Sequence, residues 1–427
     1  MIDGWVIVAF AFLYIGALFC IAYWGDRAGN TGAGARARPY VYALGLAVYC
    51  TSWTFFGSVG SAAVKGFDFI AVYLGPIAAF TLGAPLLRRI ILIAKAQNIT
   101  SIADFIAARY GKSPAVAAIV TLVAIMGTLP YIALQLKAVS ESVALLIGHP
   151  SSDANAVTQL PIGNMDLAIT LVLAAFAILF GTRHSDATEH QRGLMLAIAV
   201  ESAVKLAAFI AVGCFIVFGL FGGFGRLFGA AMANPQIAHM LDTGVHGGTL
   251  ITVSSLSFVC VFLLPRQFHV TFVENVSEDE LKTATRLFPL YLIAINVFVV
   301  PVAVAGSLTF RGGGIPHDMY LLALPFQAGN TTFTFLAFLG GLSAATAMGV
   351  METVALSIMV CNDLAIPLII KLRSTRSADR DMSDLLLQFR RAAILTISLL
   401  AYLLYDTIEN ASLSGIGVWS FAAIAQL

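Results

Sequence analysis

Several ionisable side chains lie inside long apolar segments of this 427-residue sequence, where an unpaired charge is costly. In the segment LAIAVESAVKLAAF, Glu201 and Lys205 are four residues apart, which places them on the same face of a helix. They can form a neutralising ion pair that only holds helices together. They can instead relay a proton, because burial and a mobile counter-charge strongly change how readily such groups hold one. The residues themselves leave both alternatives open.

Three more polar residues interrupt apolar segments. Gln135 and Lys137 lie in one segment, and Glu352 lies in another. Lys137 is near the end of its segment, so its long side chain is predicted to extend toward the membrane surface. Glu352 is expected to be buried, where it either bonds to neighbouring backbone or takes part in ion coupling.

Two apolar segments contain residues that weaken a helix. LAVYCTSWTFFGSVGSAAVKG, residues 46–66, has Ser, Thr and Gly at its centre, where a plain membrane anchor would have Leu, Ile and Val. TLITVSSLSFVCVFLLPRQFHVTF carries three serines upstream of Pro265, namely Ser254, Ser255 and Ser257. Small residues in the first segment can serve close helix packing alone. The matching weakness in the second favours two broken helices that meet at a binding site.

The elements that must position these residues are membrane helices. Hydrophobic residues make up 59% of the sequence and charged residues 11%, and the mean hydropathy is +0.89. Ordinary soluble domains contain about 25% charged residues. The sequence therefore predicts an all-α polytopic membrane protein, in which the first helix is retained and is not a signal peptide. We predict eleven spans, at residues 3–24, 40–64, 68–94, 114–147, 163–182, 193–221, 249–272, 287–310, 331–369, 389–406 and 412–427.

Lysine and arginine are distributed unevenly between the connecting loops. With the N-terminus outside, eighteen of the 24 Lys and Arg residues fall in cytoplasmic loops, three in outside loops and three within spans. This pattern predicts a multi-pass protein of the inner (plasma) membrane with its N-terminus outside. The net charge of +1 gives no reason to expect nucleic acid as a partner, and the apolar spans make the lipid bilayer an expected one.

The spans divide into two sets. Setting the first helix aside leaves ten, and two sets of five must cross the membrane in opposite senses because five is odd. We expect residues 1–39 to form an extra N-terminal helix and a cytoplasmic loop, residues 40–221 the first repeat and residues 249–427 the second. The last run, 412–427, reaches only about 24 Å as a helix. We therefore expect a truncated eleventh span and a natural chain that continues.

Three parts of the sequence resemble the sodium:solute symporter family. They are the second predicted span, the segment SIADFIAARYG after the third span, and the segment GGLSAATAMGVMETVALSIMVCNDLAIPL in the ninth span. The resemblance covers essentially the whole chain and implies a LeuT-like 5+5 inverted repeat with one extra N-terminal helix. The family pattern has glutamate where this chain has Asp104. Ser101 is predicted to cap the start of a helix. The side chain of Asp104, three residues later, is predicted to bond back to the same helix start, as a variant of the capping box.

Five strings resemble one subgroup more narrowly: YCTSWTFFGSVG, LPYIALQLKAV, GTRHSDATEHQRG, LPRQFHVTFVEN and ETVALSIMVCNDL. The subgroup consists of bacterial sensor histidine kinases whose N-terminal input domain is symporter-like. This resemblance implies that C-terminal signalling domains follow in the same chain. The alternatives are a freestanding cation- or proton-coupled solute symporter and a structural membrane module without a ligand.

The family resemblance also implies where sodium would bind. The site uses backbone carbonyls of the broken second helix and hydroxyls of the ninth. Matching Trp53-x-x-x-Gly57 to the family places the carbonyl donors near Ala47 and Cys50.

The hydroxyl half of that site is missing. Its positions fall at Ala347 and Met348, which have no side-chain oxygen, whereas a hard cation needs oxygen ligands. Ser343 and Thr346 would reach the site only after a one-residue shift of register. The sodium site is therefore predicted to be degraded, and H⁺ is favoured over Na⁺ as the coupling ion. The candidates for ion coupling are Ala47, Cys50, Glu201, Lys205, Ser343, Thr346 and Glu352.

For the solute, the resemblance implies a small organic molecule, and the kinase-linked subgroup implies an amino acid, histidine being one possibility. Arg266 and His269 are expected to contact lipid headgroups or a gate rather than the solute. No nucleotide fingerprint, metal cluster or catalytic triad is present, so neither enzyme activity nor a cofactor is predicted for these 427 residues. The predicted solute contacts, for which core or lipid packing is the alternative role of the aromatic residues, are Tyr49, Cys50, Trp53, Phe56, Tyr131, Gln135, Ser254, Ser255 and Ser257.

Overall fold

The computed structural model describes residues 4–27, 32–147, 165–182, 191–242, 244–311, 314–372, 381–407 and 412–427. Within these ranges the chain is built of helices and short connections, without a strand. The α-helices are α1 (Gly4–Arg27), α2 (Gly32–Gly45), α3 (Ser58–Lys65), α4 (Ala71–Thr81), α5 (Ala84–Gln97), α6 (Ile102–Arg109), α7 (Pro114–Ile147), α8 (Met165–Gly181), α9 (Arg192–Cys214), α10 (Phe224–Met232), α11 (Pro235–Asp242), α12 (Gly247–Leu263), α13 (Pro265–Phe268), α14 (Glu278–Asn296), α15 (Val299–Thr309), α16 (Tyr320–Gln327), α17 (Thr331–Met359), α18 (Ile366–Leu372), α19 (Asp381–Thr407) and α20 (Leu413–Ile424). Residues outside the described ranges include Arg183, Arg373, Arg376 and Arg380, which are among the eighteen Lys and Arg residues predicted to lie in cytoplasmic loops, and most of the string GTRHSDATEHQRG.

The all-α multi-pass prediction is confirmed. In the described part of the chain, seven helical segments are long and apolar enough to cross a membrane, or up to nine if each of two bent pairs is one span. Two shorter apolar helices, Asp166–Leu179 and Leu413–Ile424, lie at the fifth and eleventh predicted runs. The number differs from eleven partly because Trp53–Thr81 is one helical segment that joins the second and third runs through a 3₁₀ turn at Gly66–Ile70.

Helix α17 lies at the centre of the bundle. Its most apolar stretch is 94% buried, against 22% for α1 at the periphery. It packs against α7, α8, α9 and α19. A side chain at Gly341 would clash with the ring of Phe56, so the absence of one lets the second span approach α17 closely.

The second predicted run is broken at its centre. Helix α2 ends at Gly45, a 3₁₀ turn follows at Leu46–Tyr49, and Cys50 is extended, with φ −81° and ψ 101°. The chain becomes helical again as a π-helical turn, Trp53–Gly57, which leads into α3. The Ser- and Thr-containing stretch is therefore the point where the helix opens.

The seventh predicted run is broken as well. Leu264 is extended, with φ −60° and ψ 125°, and Pro265 follows as the first residue of α13. Proline disfavours the helical conformation in the residue before it, which explains the position of the break. A π-helical turn at His269–Val273 completes this span. Each predicted five-helix set thus begins with a discontinuous helix.

The segment SIADFIAARYG forms the predicted cap. Ser101 Oγ accepts a hydrogen bond from the Asp104 backbone N–H at 3.0 Å at the start of α6. The Asp104 carboxylate reaches one residue further back than in an ordinary capping box, and it accepts from the Thr100 N–H at 3.1 Å.

We expect Gly341→Ala to lower the melting temperature of the purified protein, because the added methyl group would press on the buried Phe56 ring. Overpacking of this kind costs about 1–3 kcal/mol. The control is Gly349→Ala in the same helix, where the nearest side-chain atom would be Leu173 Cδ1 at 3.8 Å. Thermal unfolding in detergent measures both variants. Equal melting temperatures for Gly341→Ala and Gly349→Ala would show that the contact between Gly341 and the Phe56 ring is not tight.

Candidate functional site

Lys205 of α9 is completely buried and binds the opened part of the second span. Its ammonium group donates to the carbonyl oxygens of Ala47, at 2.7 Å, and Cys50, at 2.6 Å. Both carbonyls lie where the 3₁₀ turn gives way to the extended Cys50. They are the carbonyls to which the family resemblance assigns the sodium ion. In this conformation a lysine cation lies on them.

Glu201, one turn before Lys205 on α9, has different partners. Its carboxylate accepts from Thr346 Oγ1, and its backbone carbonyl accepts from Ser343 Oγ at 2.8 Å. The Tyr14 hydroxyl of α1 in turn donates to Ser343 Oγ at 2.9 Å. Among the described residues, no ion pair joins the two charges. The ion-pair alternative therefore does not hold in this conformation.

Two hydroxyl groups of α17 thus form hydrogen bonds with α9. Ser343 and Thr346 bond to Glu201, one through its backbone and the other through its carboxylate. Ala347 and Met348 are buried beside them and bring no side-chain oxygen to the region.

Glu352 lies in the C-terminal half of α17 and pairs with Arg266 of α13. Arg266 Nη1 donates to Glu352 Oε2, and neither side chain has exposed surface. The guanidinium group also lies over the Tyr131 ring, 4.7 Å from its centroid. The sequence predicts that Arg266 and His269 contact lipid headgroups or a gate; both are buried, so the headgroup alternative is wrong and the gate alternative stays a prediction. The break at Pro265 places α13 inside the bundle, and an arginine directly after a helix-breaking proline was the sequence signal for this.

Helix α7 supplies partners to the opened stretch of the second span. Gln135 Oε1 accepts from the Ser52 backbone N–H at 3.1 Å, and the hydroxyls of Tyr131 and Thr51 are hydrogen-bonded at 3.0 Å. Tyr131 and Gln135 are therefore next to the break, as predicted for solute contacts.

Lys137 does not extend to the membrane surface, and that prediction is wrong. The residue is only 5% exposed, and its Nζ lies 3.4 Å from Glu141 Oε1. It lies on the buried face of α7, which sequence position alone did not reveal.

The aromatic residues predicted to contact solute are buried in helix contacts. The Tyr49 hydroxyl donates to the Val72 carbonyl at 3.1 Å, and the Trp53 indole N–H donates to the Ser414 carbonyl at 3.2 Å. Phe56 packs against α17. In this conformation they close the space around the break.

The three predicted serines of α12 are not brought to the break. Ser254 and Ser257 donate to the Ala71 carbonyl, at 3.0 and 3.4 Å, and Ser255 is exposed. Ser257 precedes Leu264 by seven residues, about 10 Å along a helix. In this conformation the serines hold α12 against α4.

Both ends of the second span are closed. At the α2 end, the Tyr42 hydroxyl donates to the Thr271 carbonyl at 2.7 Å, and Arg38 pairs with Glu280 at 2.7 Å. At the α3 end, the Trp53 indole N–H donates to the carbonyl of Ser414 in the first turn of α20. Polar groups at the break are therefore shielded on both sides.

Asp318, in the turn between α15 and α16, closes the α3 end further. Its carboxylate accepts from the Leu413 N–H at 3.1 Å and lies against Gly60, where a side chain would not fit. Burial raises the pKa of the Asp318 carboxyl from 3.8 to about 7. The Leu413 N–H opposes this rise in pKa, nearby Glu141 adds to it and Lys137 opposes it.

A solved structure has a similar fold. It is a Na⁺-coupled sialic acid symporter in its substrate-bound outward-open state, described as revealing a novel Na⁺ site. It aligns with a TM-score of 0.69 over 98% of this chain and 86% of its own, at 13% sequence identity. The fold is that of a solute symporter. The LeuT-like architecture expected from the sequence is thereby confirmed.

One curated relative points the same way. The uncharacterized symporter YhjB of Bacillus subtilis (strain 168) is 22% identical over 349 residues, which are 81% of this chain and 66% of the relative. This chain thus spans slightly less than two thirds of that relative. No protein-family model matches. Together the two similarities support a multi-pass membrane protein with a symporter-like fold.

The raised pKa of Asp318 makes the contact at the α3 end depend on pH. The neutral carboxyl is favoured in the folded protein, so this group costs no stability below about pH 4 and costs more as the pH rises to about 7. We expect Asp318→Asn to have the wild-type melting temperature near pH 4 and a higher one at pH 8. Melting curves across this range measure the difference, and a difference independent of pH would contradict the assignment.

Proposed function

We propose that this chain binds and transports a small organic solute, an amino acid with histidine as one possibility, across the plasma membrane. The symporter fold and the similarity to a bacterial symporter support this proposal. The two discontinuous helices do so too, because such helices present free backbone groups to solutes and ions in other transporters. Tyr131 and Gln135 lie beside the opened stretch and are available to a solute when the closing contacts separate.

The proposed coupling ion is the proton. The observation that carries this is the pair of bonds from Lys205 to the carbonyls of Ala47 and Cys50. The lysine cation satisfies both oxygens and its charge repels a second cation from them. Once deprotonated, the amine keeps donors but no charge, so its hold on the carbonyls weakens. Protonation of Lys205 and the position of the second span are therefore linked.

Glu201 is the proposed acceptor for that proton. It lies one helical turn away on the same face of α9, and its carboxylate is hydrogen-bonded to the Thr346 hydroxyl. Movement of the second span relative to α17 changes the surroundings of both charged groups, because Lys205 bonds to the second span and Glu201 bonds to α17. The two residues then form the relay that their spacing suggested.

We also propose that the domain is the sensory input of a histidine kinase, with its N-terminus outside the cell. The five strings that resemble this subgroup support the proposal. Solute binding would shift the domain between its conformations, and this requires different affinities for them. A freestanding symporter is the second candidate, favoured by the similarity to YhjB. The coding sequence after residue 427 discriminates: a dimerisation helix with a histidine and ATP-binding motifs would support the kinase.

We expect uptake of labelled amino acids into proteoliposomes to follow an imposed pH gradient and to ignore a sodium gradient, because Lys205 covers the carbonyls that sodium would need. A panel of amino acids is assayed with each gradient imposed separately, and a protonophore serves as the control. Uptake that requires sodium would overturn the proposed coupling.

We expect Lys205→Met to abolish accumulation driven by the pH gradient, because methionine fills the space without offering a proton or a donor. Lys282→Met, which changes an exposed lysine paired with Asp279, is the control. Glu201→Gln keeps an acceptor for Thr346 but removes the charge, and we expect it to uncouple transport from the gradient. Wild-type accumulation in either buried variant would reduce that residue to a packing role.

A further inference from the structure

Arg266 and Glu352 form an ion pair that the proposed coupling does not use. Both side chains have no exposed surface, and the pair lies where the seventh span is broken. Removing two charges from water is expensive, and an apolar pair of similar volume often serves stability equally well. A packing role alone therefore gives a weak account of these two residues.

The pair is incompletely satisfied. Arg266 uses Nη1 for Glu352 Oε2, whereas Arg266 Nε, Arg266 Nη2 and Glu352 Oε1 are buried without a hydrogen-bond partner in the described structure. Nε and Nη2 lie along one edge of the guanidinium group, and their N–H bonds are parallel. That edge matches the two oxygens of a carboxylate. The free Glu352 oxygen is an acceptor with a negative charge, which suits an ammonium group.

The surroundings connect this pair to the opened second span. The guanidinium group lies over the Tyr131 ring, 4.7 Å from its centroid, and the Tyr131 hydroxyl is bonded to Thr51 at 3.0 Å. Tyr131 is also stacked on Phe421 of α20, with ring centroids 5.8 Å apart. An aromatic face thus fixes the guanidinium plane, so that its edge keeps one direction.

We propose that Arg266 and Glu352 are the receptor for a zwitterion, with the solute carboxylate on the Nε and Nη2 edge of Arg266 and its ammonium group on Glu352 Oε1. This inference rests on the proposed transport function. The internal pair holds each charge ready for the opposite charge of the solute, so no net charge is added to the bundle on binding. The solute class is therefore an α-amino acid that has both ends free.

The solute reaches the pair when the second span moves. In the closed form the guanidinium group has no exposed surface, and Tyr42 holds the α2 end to the Thr271 carbonyl beyond α13. Separation of that contact opens the α13 side of the break. The Arg266–Glu352 receptor is then accessible to solute from the α2 end. It is enclosed again when the Tyr42 hydroxyl re-forms its bond to the Thr271 carbonyl.

The first test is binding to the purified chain, by calorimetry and thermal shift. The probes are the twenty L-amino acids, followed by the amide and the N-acetyl derivative of each that binds. We expect both derivatives to bind about 10- to 100-fold more weakly than the parent, because each loses one charged hydrogen-bonding group. Equal binding of parent and derivatives would overturn the zwitterion receptor.

The second test removes the pair. Arg266→Met with Glu352→Leu replaces both charges by apolar groups, which leaves no unpaired charge and allows the chain to fold. Arg266→Lys keeps the charge and loses the two-donor edge. We expect both variants to melt as cooperatively as the wild type and to bind the probes at least about 10-fold more weakly. The matched control is Arg88→Met with Glu278→Leu, an exposed Arg–Glu pair, which should bind as the wild type does.

The outcomes separate the two proposals. Wild-type affinity in a folded Arg266→Met, Glu352→Leu variant would show that the pair is structural, while proton-driven uptake by the wild type would still stand. Uptake of a solute without a carboxylate, with no binding of any amino acid, would overturn the receptor and leave a symporter for another class. Absence of both uptake and binding would overturn the proposed function itself.

Discussion

Opening a helix inside a bilayer frees backbone carbonyls and N–H groups that lipid cannot satisfy, and the centre of this bundle is arranged around that constraint. The carbonyls of Ala47 and Cys50 receive two hydrogen bonds from Lys205, and the Ser52 N–H donates to Gln135. These donors and acceptors come from α9 and α7, which are distant in sequence from the second span. The break persists because other helices supply the partners that regular helix geometry would have provided.

The buried charged residues Arg266, Glu352, Lys205 and Glu201 lie at the two broken helices, and they are not equivalent. Arg266 and Glu352 neutralise each other, whereas Lys205 and Glu201 bond to backbone carbonyls and a hydroxyl, respectively. A charge whose direct hydrogen-bond partners are neutral responds to any movement of those partners, because none of them carries a compensating charge. A charge in a direct pair is compensated wherever the pair moves. This difference is the physical basis for proposing that Lys205 and Glu201 couple transport to protons and that Arg266 and Glu352 bind the solute.

Local chemistry made several features predictable. The Ser- and Gly-rich stretch around Cys50 and the proline at Pro265 marked both breaks, because they weaken a helix wherever it is placed. Ser101 marked a helix start for the same local reason. Tyr131 and Gln135 of α7, which the sequence predicts as solute contacts, lie beside the opened stretch, and their contact with a solute stays a prediction. Each of these features depends on residues within a turn or two, or on a repeat pattern that fixes the order of helices.

The sequence by itself determined the membrane class, the discontinuous helices and the positions of the buried charges. Only the tertiary structure decided the partners: Lys205 binds the second span instead of Glu201, Arg266 turns inward to Glu352, and Ser257 faces α4. The reason is geometric. Spacing along one helix fixes which residues share a face, but the rotation and tilt at which that face meets another helix come from packing of the whole bundle, and these decide which buried polar group finds which partner.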